Sequence, residues 1–193
     1  MRAAIAAALV YLAFALPASA YDAEAGRQKA ASCAVCHGPG GNSTNPTVPS
    51  VAGQWNDYVV LALFQFRAKH RPSPIMDPQA ARLTDDDLGN LAAYYSSQPK
   101  WKPIRQSSPA ALEKGPALAH DKRCMQCHTP TLAGQDSVPR IAGQHIQFLT
   151  EQLKAFRTGN RGDIDGNMTS IASTLSDADI ATLADYISGL SAP

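Results

Sequence analysis

Two short runs, Cys33-Ala34-Val35-Cys36-His37 and Cys124-Met125-Gln126-Cys127-His128, repeat one pattern of two cysteines three apart with a histidine after the second. On a helical turn, cysteines at that spacing point to one side, where their sulfurs can form thioethers with the two vinyl groups of one porphyrin. The adjacent histidine then lies under the ring centre with a nitrogen free to bind iron, so each run reads as a covalent haem-attachment site. Other readings of four cysteines compete. A dithiol redox motif would sit once, at a strand-to-helix junction of an α/β fold, and no such pattern is visible. A single zinc site would need both pairs gathered together, yet a domain's length separates them. Disulfides within each pair would leave both histidines unexplained.

An iron held by His37 or His128 has a second axial face to fill. Of the four methionines, Met1 belongs to the N-terminal segment and Met125 sits inside an attachment run. That leaves Met76 and Met168, one per half, at matching places in matching loops. A lone loop methionine more often fills a gap, but duplication in register favours ligation of both irons. A thioether opposite imidazole favours the reduced metal and raises its potential, and with both faces filled no position is open to substrate. Arg71 and Arg161 recur between a central helix and the methionine, where they could reach a haem propionate; a solvated or loop-tethering arginine is the plainer alternative. His70, His120 and His145 have no counterparts across the repeat and read as surface or loop residues. Trp55 and Trp101 read as packing residues.

The positioning elements emerge when the chain is laid on itself at a shift of about ninety residues. The attachment runs align first. Val48-Pro49-Ser50-Val51-Ala52-Gly53-Gln54 then falls on Val138-Pro139-Arg140-Ile141-Ala142-Gly143-Gln144, and Phe66-Arg67 with Arg71 on Phe156-Arg157 with Arg161. Met76 falls on Met168, and Leu83, Leu88, Leu91 and Tyr94 on Leu175, Ile180, Leu183 and Tyr186. So many matches in one order mean a duplicated domain. Each half predicts a middle helix with an apolar stripe (Val59, Leu63, Phe66; Leu149, Leu153, Phe156) and a closing helix capped by Thr84 or Ser176 with an aspartate three residues on. A first helix is expected over Ala23–Ser32, with a less regular counterpart over Pro116–Lys122. Gly26 with Tyr94, and Gly115 with Tyr186, suit a close crossing of first and last helices. No alternating run demands a strand, so the fold class is all-α. The expected organisation is domain 1 over 21–98, a proline-containing linker over 99–109 and domain 2 over 110–193.

Arg2, the apolar run Ala3–Leu16 and the small-residue end Ala18-Ser19-Ala20 read as a secretory signal over residues 1–20, cleaved after Ala20. That run falls short of the roughly 20 residues needed to span a bilayer, so the expectation is a periplasmic protein. Seventeen basic and 16 acidic residues argue against nucleic acid or an anionic membrane as partner, although loose peripheral membrane association stays open. Residues 22–105 carry nine basic and seven acidic side chains, and 106–193 seven and nine, a mild dipole.

Two attachment motifs, an Ala-Gly-Gln run after each, a Phe-Arg-x-x-x-Arg run before each methionine and a closing Leu-x-x-Tyr helix together resemble the cytochrome c4 family over essentially all of the mature chain. The resemblance implies two tandem cytochrome c domains related by pseudo-two-fold symmetry, with two haem c groups facing one another across the interface. It implies an electron carrier, not an enzyme, that relays between a quinol-oxidising bc1-type complex and a terminal oxidase. The alternative is the dihaem cytochrome subunit of a flavocytochrome or another periplasmic dehydrogenase. Two departures stand out: Thr129 replaces Gly38, and the loop before Met168 is two residues longer.

Overall fold

Short apolar stripes and well-marked caps dictate short helices, and the computed structural model, which describes residues 21–191, contains two sets of five. The first half holds α1 (Ala23–Lys29), α2 (Ala34–His37), α3 (Asn56–Arg67), α4 (Met76–Ala80) and α5 (Asp85–Ser97), with a 3-10 turn at Pro39–Gly41. The second holds α6 (Pro109–Asp121), α7 (Cys124–His128), α8 (Ile146–Arg157), α9 (Asn167–Ser173) and α10 (Asp177–Ser188). Among the described residues the only β-type pairing is an isolated bridge between Gln135 and Val138. The signal expected over residues 1–20 lies outside the described residues. No helix among them is long and apolar enough to cross a membrane.

Three local expectations need correction. The first helix stops at Lys29, before Ser32, and the attachment run forms its own short helix. The counterpart begins at Pro109, not Pro116: Ser108 accepts the Ala111 amide as N-cap and Pro109 opens the first turn. Pro116 is tolerated inside α6, at a usual cost of about 3 kcal/mol, because the helix buries Ala111, Gly115 and Ala119. Both methionines, expected in loops, stand in the first turn of short helices, Met76 opening α4 and Met168 second in α9.

The closing helices are fixed identically in both halves. Thr84 and Asp87 form a reciprocal capping box on α5, as Ser176 and Asp179 do on α10. Arg67 donates to the Leu83 carbonyl and pairs with Asp85, while Arg157 donates to the Leu175 carbonyl and pairs with Asp177. This explains the first arginine of each Phe-Arg-x-x-x-Arg run: it ties the end of the middle helix to the start of the last. Gly26 meets α5 at Asn90 and Tyr94, and Gly115 meets α10 at Tyr186, the expected crossings. Two cores result, one around Val59, Leu91 and Tyr95 and the other around Leu149, Phe156, Ile180 and Leu183.

The halves are locked together by reciprocal bonds between equivalent residues. The Gln54 side chain accepts from the Arg140 amide at 2.8 Å and donates to its carbonyl at 3.0 Å. Its repeat counterpart, Gln144, accepts from the Ser50 amide at 3.0 Å and donates to its carbonyl at 2.9 Å. Such exchange is what an approximate two-fold axis requires. All four residues are buried, and each glutamine oxygen also accepts the amide of the residue after it, Trp55 or His145, so removing either side chain strands three backbone groups, a buried one costing about 1–3 kcal/mol. Gln54→Ala and Gln144→Ala should therefore each destabilise the protein by about 2–4 kcal/mol in chemical denaturation; a loss below about 0.5 kcal/mol would show that water replaces the amide without penalty.

Candidate haem sites and the interface between them

Cys33 is the N-cap of α2 and Cys36 lies within it, while α7 holds both Cys124 and Cys127; none of the four is in a disulfide. Cys33 and Cys124 are half-buried against their respective cores, whereas Cys36 and Cys127 are exposed. Burial raises the Cys124 thiol above its ordinary range. The two rings of His37 and His128 are anchored alike, Nδ1 lying 2.9 Å from the Pro49 carbonyl and 2.8 Å from the Pro139 carbonyl. A carbonyl can only accept, so Nδ1 holds the proton and Nε2 keeps its lone pair for a metal. Among the described residues nothing hydrogen-bonds either Nε2. Burial lowers both imidazole pKa values, offset in part by the bond to the proline carbonyl, which favours the neutral rings that ligation needs.

Thr129, directly after His128, shows what its substitution for Gly38 entails. The two residues share a backbone conformation, φ 76°, ψ 168° at Gly38 and φ 68°, ψ 162° at Thr129. That region is essentially reserved for glycine and costs other residues about 1–3 kcal/mol. Thr129→Gly should relieve this strain and outweigh the glycine's added unfolded-state entropy of about 0.5–1 kcal/mol. The expected result is a thermal midpoint higher by roughly 2–4 °C; a lower midpoint would mean that the Thr129 side chain contributes more than its backbone costs.

Met76 and Met168 are half-buried, and Met168 packs against the second core. Arg71 and Arg161 each lie over the phenylalanine five residues earlier, with Cζ 4.5 Å from the Phe66 centroid and 4.3 Å from the Phe156 centroid. From those stacked positions the two guanidiniums converge between the halves. Both donate to the Gln152 side-chain carbonyl, and both reach the Tyr58 hydroxyl, at 3.4 Å from Arg71 and 3.5 Å from Arg161. Burial would raise the Tyr58 phenol, but the two charges outweigh it and hold it at about 8. Burial and then the charge of Arg71 lower the Arg161 guanidinium to about 10. Among the described residues no carboxylate bonds either guanidinium, and Arg161 Nε is buried without a partner. Two cations gathered in this way form a site suited to an anion such as a haem propionate.

His145 requires a further correction. It is buried, 4% exposed, and not a surface residue. It occupies the position equivalent to Trp55, and the two make equivalent bonds across the interface: Trp55 Nε1 donates to the Ala133 carbonyl at 2.8 Å, and His145 Nε2 bonds the Ser43 carbonyl at 3.0 Å. Trp55 is therefore more than packing, with the residue 42% exposed and its ring N–H committed to the other half. Trp101 is buried as expected, its N–H donating to the Ala142 carbonyl. His70 and His120 are exposed, as the sequence suggests.

Comparison with known proteins agrees with this double architecture. A cytochrome c family model matches residues 112–191, and the model for subunit III of the cbb3-type cytochrome c oxidase matches residues 22–94. Cytochrome c4 of Azotobacter vinelandii is 37% identical, the alignment covering 89% of this chain and 90% of that one. The chain belongs to the cytochrome c4 family. The reduced cytochrome c4 of Pseudomonas stutzeri has a similar structure, with a TM-score of 0.81 at 36% identity over 88% of this chain and 99% of that one. A more distant relative, 33% identical over 82% of this chain and 78% of its own length, is a thiosulfate dehydrogenase electron acceptor from Thiomonas intermedia.

As a member of the cytochrome c4 family, the chain is a dihaem electron carrier with one covalently attached haem c in each cytochrome c domain. The free cysteine pairs, the tautomer imposed on each histidine and the converging arginines all fit that cofactor. Sequence reasoning missed the proline carbonyls that orient the histidines, and it missed Tyr58, Gln152, Gln54 and Gln144 as interface residues. The repeated Val-Pro-x-x-Ala-Gly-Gln segment was the visible signal for the prolines and glutamines. Tyr58 and Gln152 face Phe148 and Ala62 in the alignment and gave none.

Proposed function

We propose that this cytochrome c4 works in the periplasm, taking electrons from a quinol-oxidising bc1-type complex and passing them to a terminal oxidase or another acceptor. In this reading Cys33 and Cys36, and Cys124 and Cys127, form the thioethers, while His37 with Met76 and His128 with Met168 hold the two irons. Arg71 and Arg161 bind the propionates. The bound groups supply reversible one-electron chemistry at iron, and the chain sets its potential and its reach.

One observation carries the proposal: residues 48–54 and 138–144 do two jobs at once. Pro49 and Pro139 orient the histidines, and within the same seven residues Gln54 and Gln144 seize the backbone of the other half. Each axial histidine is thus tied rigidly to the opposite domain, which supports a fixed separation between the irons and rapid internal transfer. An optical redox titration of the mature protein tests the reading. Two haems per chain, a far-red charge-transfer band from methionine-ligated oxidised iron and two potentials in the carrier range support it. A bis-histidine spectrum at either site would overturn the axial assignment.

A second reading, as the cytochrome subunit of a flavocytochrome or another periplasmic dehydrogenase, is favoured by the thiosulfate dehydrogenase electron acceptor among the relatives. A dehydrogenase co-purifying in stoichiometric amount would support that subunit role, and a lone dihaem species the free carrier.

A further inference from the structure

The methionine helices α4 and α9 are equivalent by repeat, but the side chains that clasp them are not. In the first half the Met76 amide donates to the Ser73 hydroxyl at 3.1 Å, and the Ser73 amide donates to the Asp77 carboxylate at 3.0 Å. The clasp spans five residues, Ser73 to Asp77, and in it a neutral hydroxyl touches the methionine backbone. In the second half the loop is two residues longer and no serine occupies that place. The Met168 amide donates to Asp163 Oδ2 at 2.7 Å, while Oδ1 accepts the Thr169 amide at 3.1 Å and the Thr169 hydroxyl at 2.6 Å. One carboxylate therefore gathers three donors from the first turn of α9.

The flanking backbone gives α9 little other help. Its N-cap is Gly166, which offers no side chain and has a left-handed conformation, φ 70°. Asp165 bonds only Asn167 in that turn. A carboxylate that accepts three N–H and O–H donors is held as an anion, and it lies on the same loop as Arg161.

We infer that Asp163 is the positioning residue for the second iron's methionine, holding Met168 at its ligating height and placing a negative charge directly on that ligand's own backbone. This inference rests on Met168 being an axial ligand. Three donors on one carboxylate make a stiffer tether than the single hydroxyl bond in the first half, and they compensate for the longer loop. A nearby anion stabilises the more positive oxidised iron, so Asp163 pulls the second potential down. Asp77 also lies beside a methionine, but it reaches the Ser73 amide and not the ligand's own backbone.

The test uses the mature dihaem protein and four variants, each read by haem count, far-red band intensity and redox titration. Met168→Ala checks the underlying reading: the band should fall by half with two haems retained, and an undiminished band would remove Met168 as ligand. With that control in place, Asp163→Ala should also cut the band by up to half at unchanged haem count. Asp163→Asn keeps an acceptor for the Met168 amide, so it should restore most of the band while shifting one of the two potentials upward. Ser73→Ala should leave that same potential where it was. If Asp163→Ala retains the full band and both potentials while Met168→Ala halves it, the positioning role is wrong although the ligand assignment stands. Equal movement of both potentials in Asp163→Asn would equally overturn it.

Discussion

A Met168→His variant should keep both haems yet lower the potential of one of them by a few tenths of a volt, within the ~0.8 V span that axial ligands command. The thioether favours ferrous iron, and a second imidazole removes that preference by stabilising the ferric state. Cys124, Cys127 and the bond from His128 to the Pro139 carbonyl belong to α7 and the loop after it, not to α9, so attachment should survive. Met76→His should do the same to the other haem. Because the halves are joined through reciprocal backbone bonds, each variant should leave the second potential within a few tens of millivolts of its starting value, the scale of charge effects at an effective dielectric near 20. A redox titration that shows both potentials unmoved would remove methionine from the iron.

Gly26→Ala should be strongly damaging to the first domain. A Cβ there would sit 1.9 Å from the Asn90 carbonyl oxygen, 2.6 Å from its carbon and 2.9 Å from Tyr94 Cβ. The first two are backbone atoms of α5, so no rotamer change relieves the contact and α1 must move off α5. That movement exposes the buried Ala30, Leu91 and Ala92. Alanine's helix preference of about 1 kcal/mol over glycine opposes the loss but is too small to cancel it. The expected cost is at or above the ~1–3 kcal/mol typical of overpacking. Gly115→Ala should cost less, because the nearest atoms, Cγ and Cβ of Tyr186 at 2.3 and 2.4 Å, lie farther off than the Asn90 oxygen and are cleared by a smaller shift of α10. Thermal unfolding of the two variants compares them directly, and a larger loss at Gly115 would contradict the assignment of rigidity to Asn90.

The difference between those glycines was not visible in the chain, although the crossings themselves were. Gly26 and Gly115 could be paired with Tyr94 and Tyr186 by register, but whether a methyl meets backbone or side chain depends on how deeply the helices nest. His145 shows the same limit. Alone at position 145 it looked like a stray surface histidine, because repeat logic asks for the same residue type. The interface asks only for an N–H that can reach a carbonyl, and an indole at Trp55 and an imidazole at His145 meet that demand equally.

What the sequence determined by itself was everything fixed by local spacing and by repetition: two attachment motifs, the helical class, the capping boxes and the pairing of Met76 with Met168. These follow from bonds between residues a few positions apart, and duplication let each half check the other. What only the tertiary structure decided was which groups act on those residues from a distance: the Pro49 and Pro139 carbonyls that set the imidazole tautomers, the glutamines that exchange across the two-fold, and the meeting of Arg71 and Arg161 at Tyr58 and Gln152. The physical reason is that a carbonyl belongs to every residue and an amide side chain bonds any backbone it meets, so their roles come from placement and leave no mark in residue type.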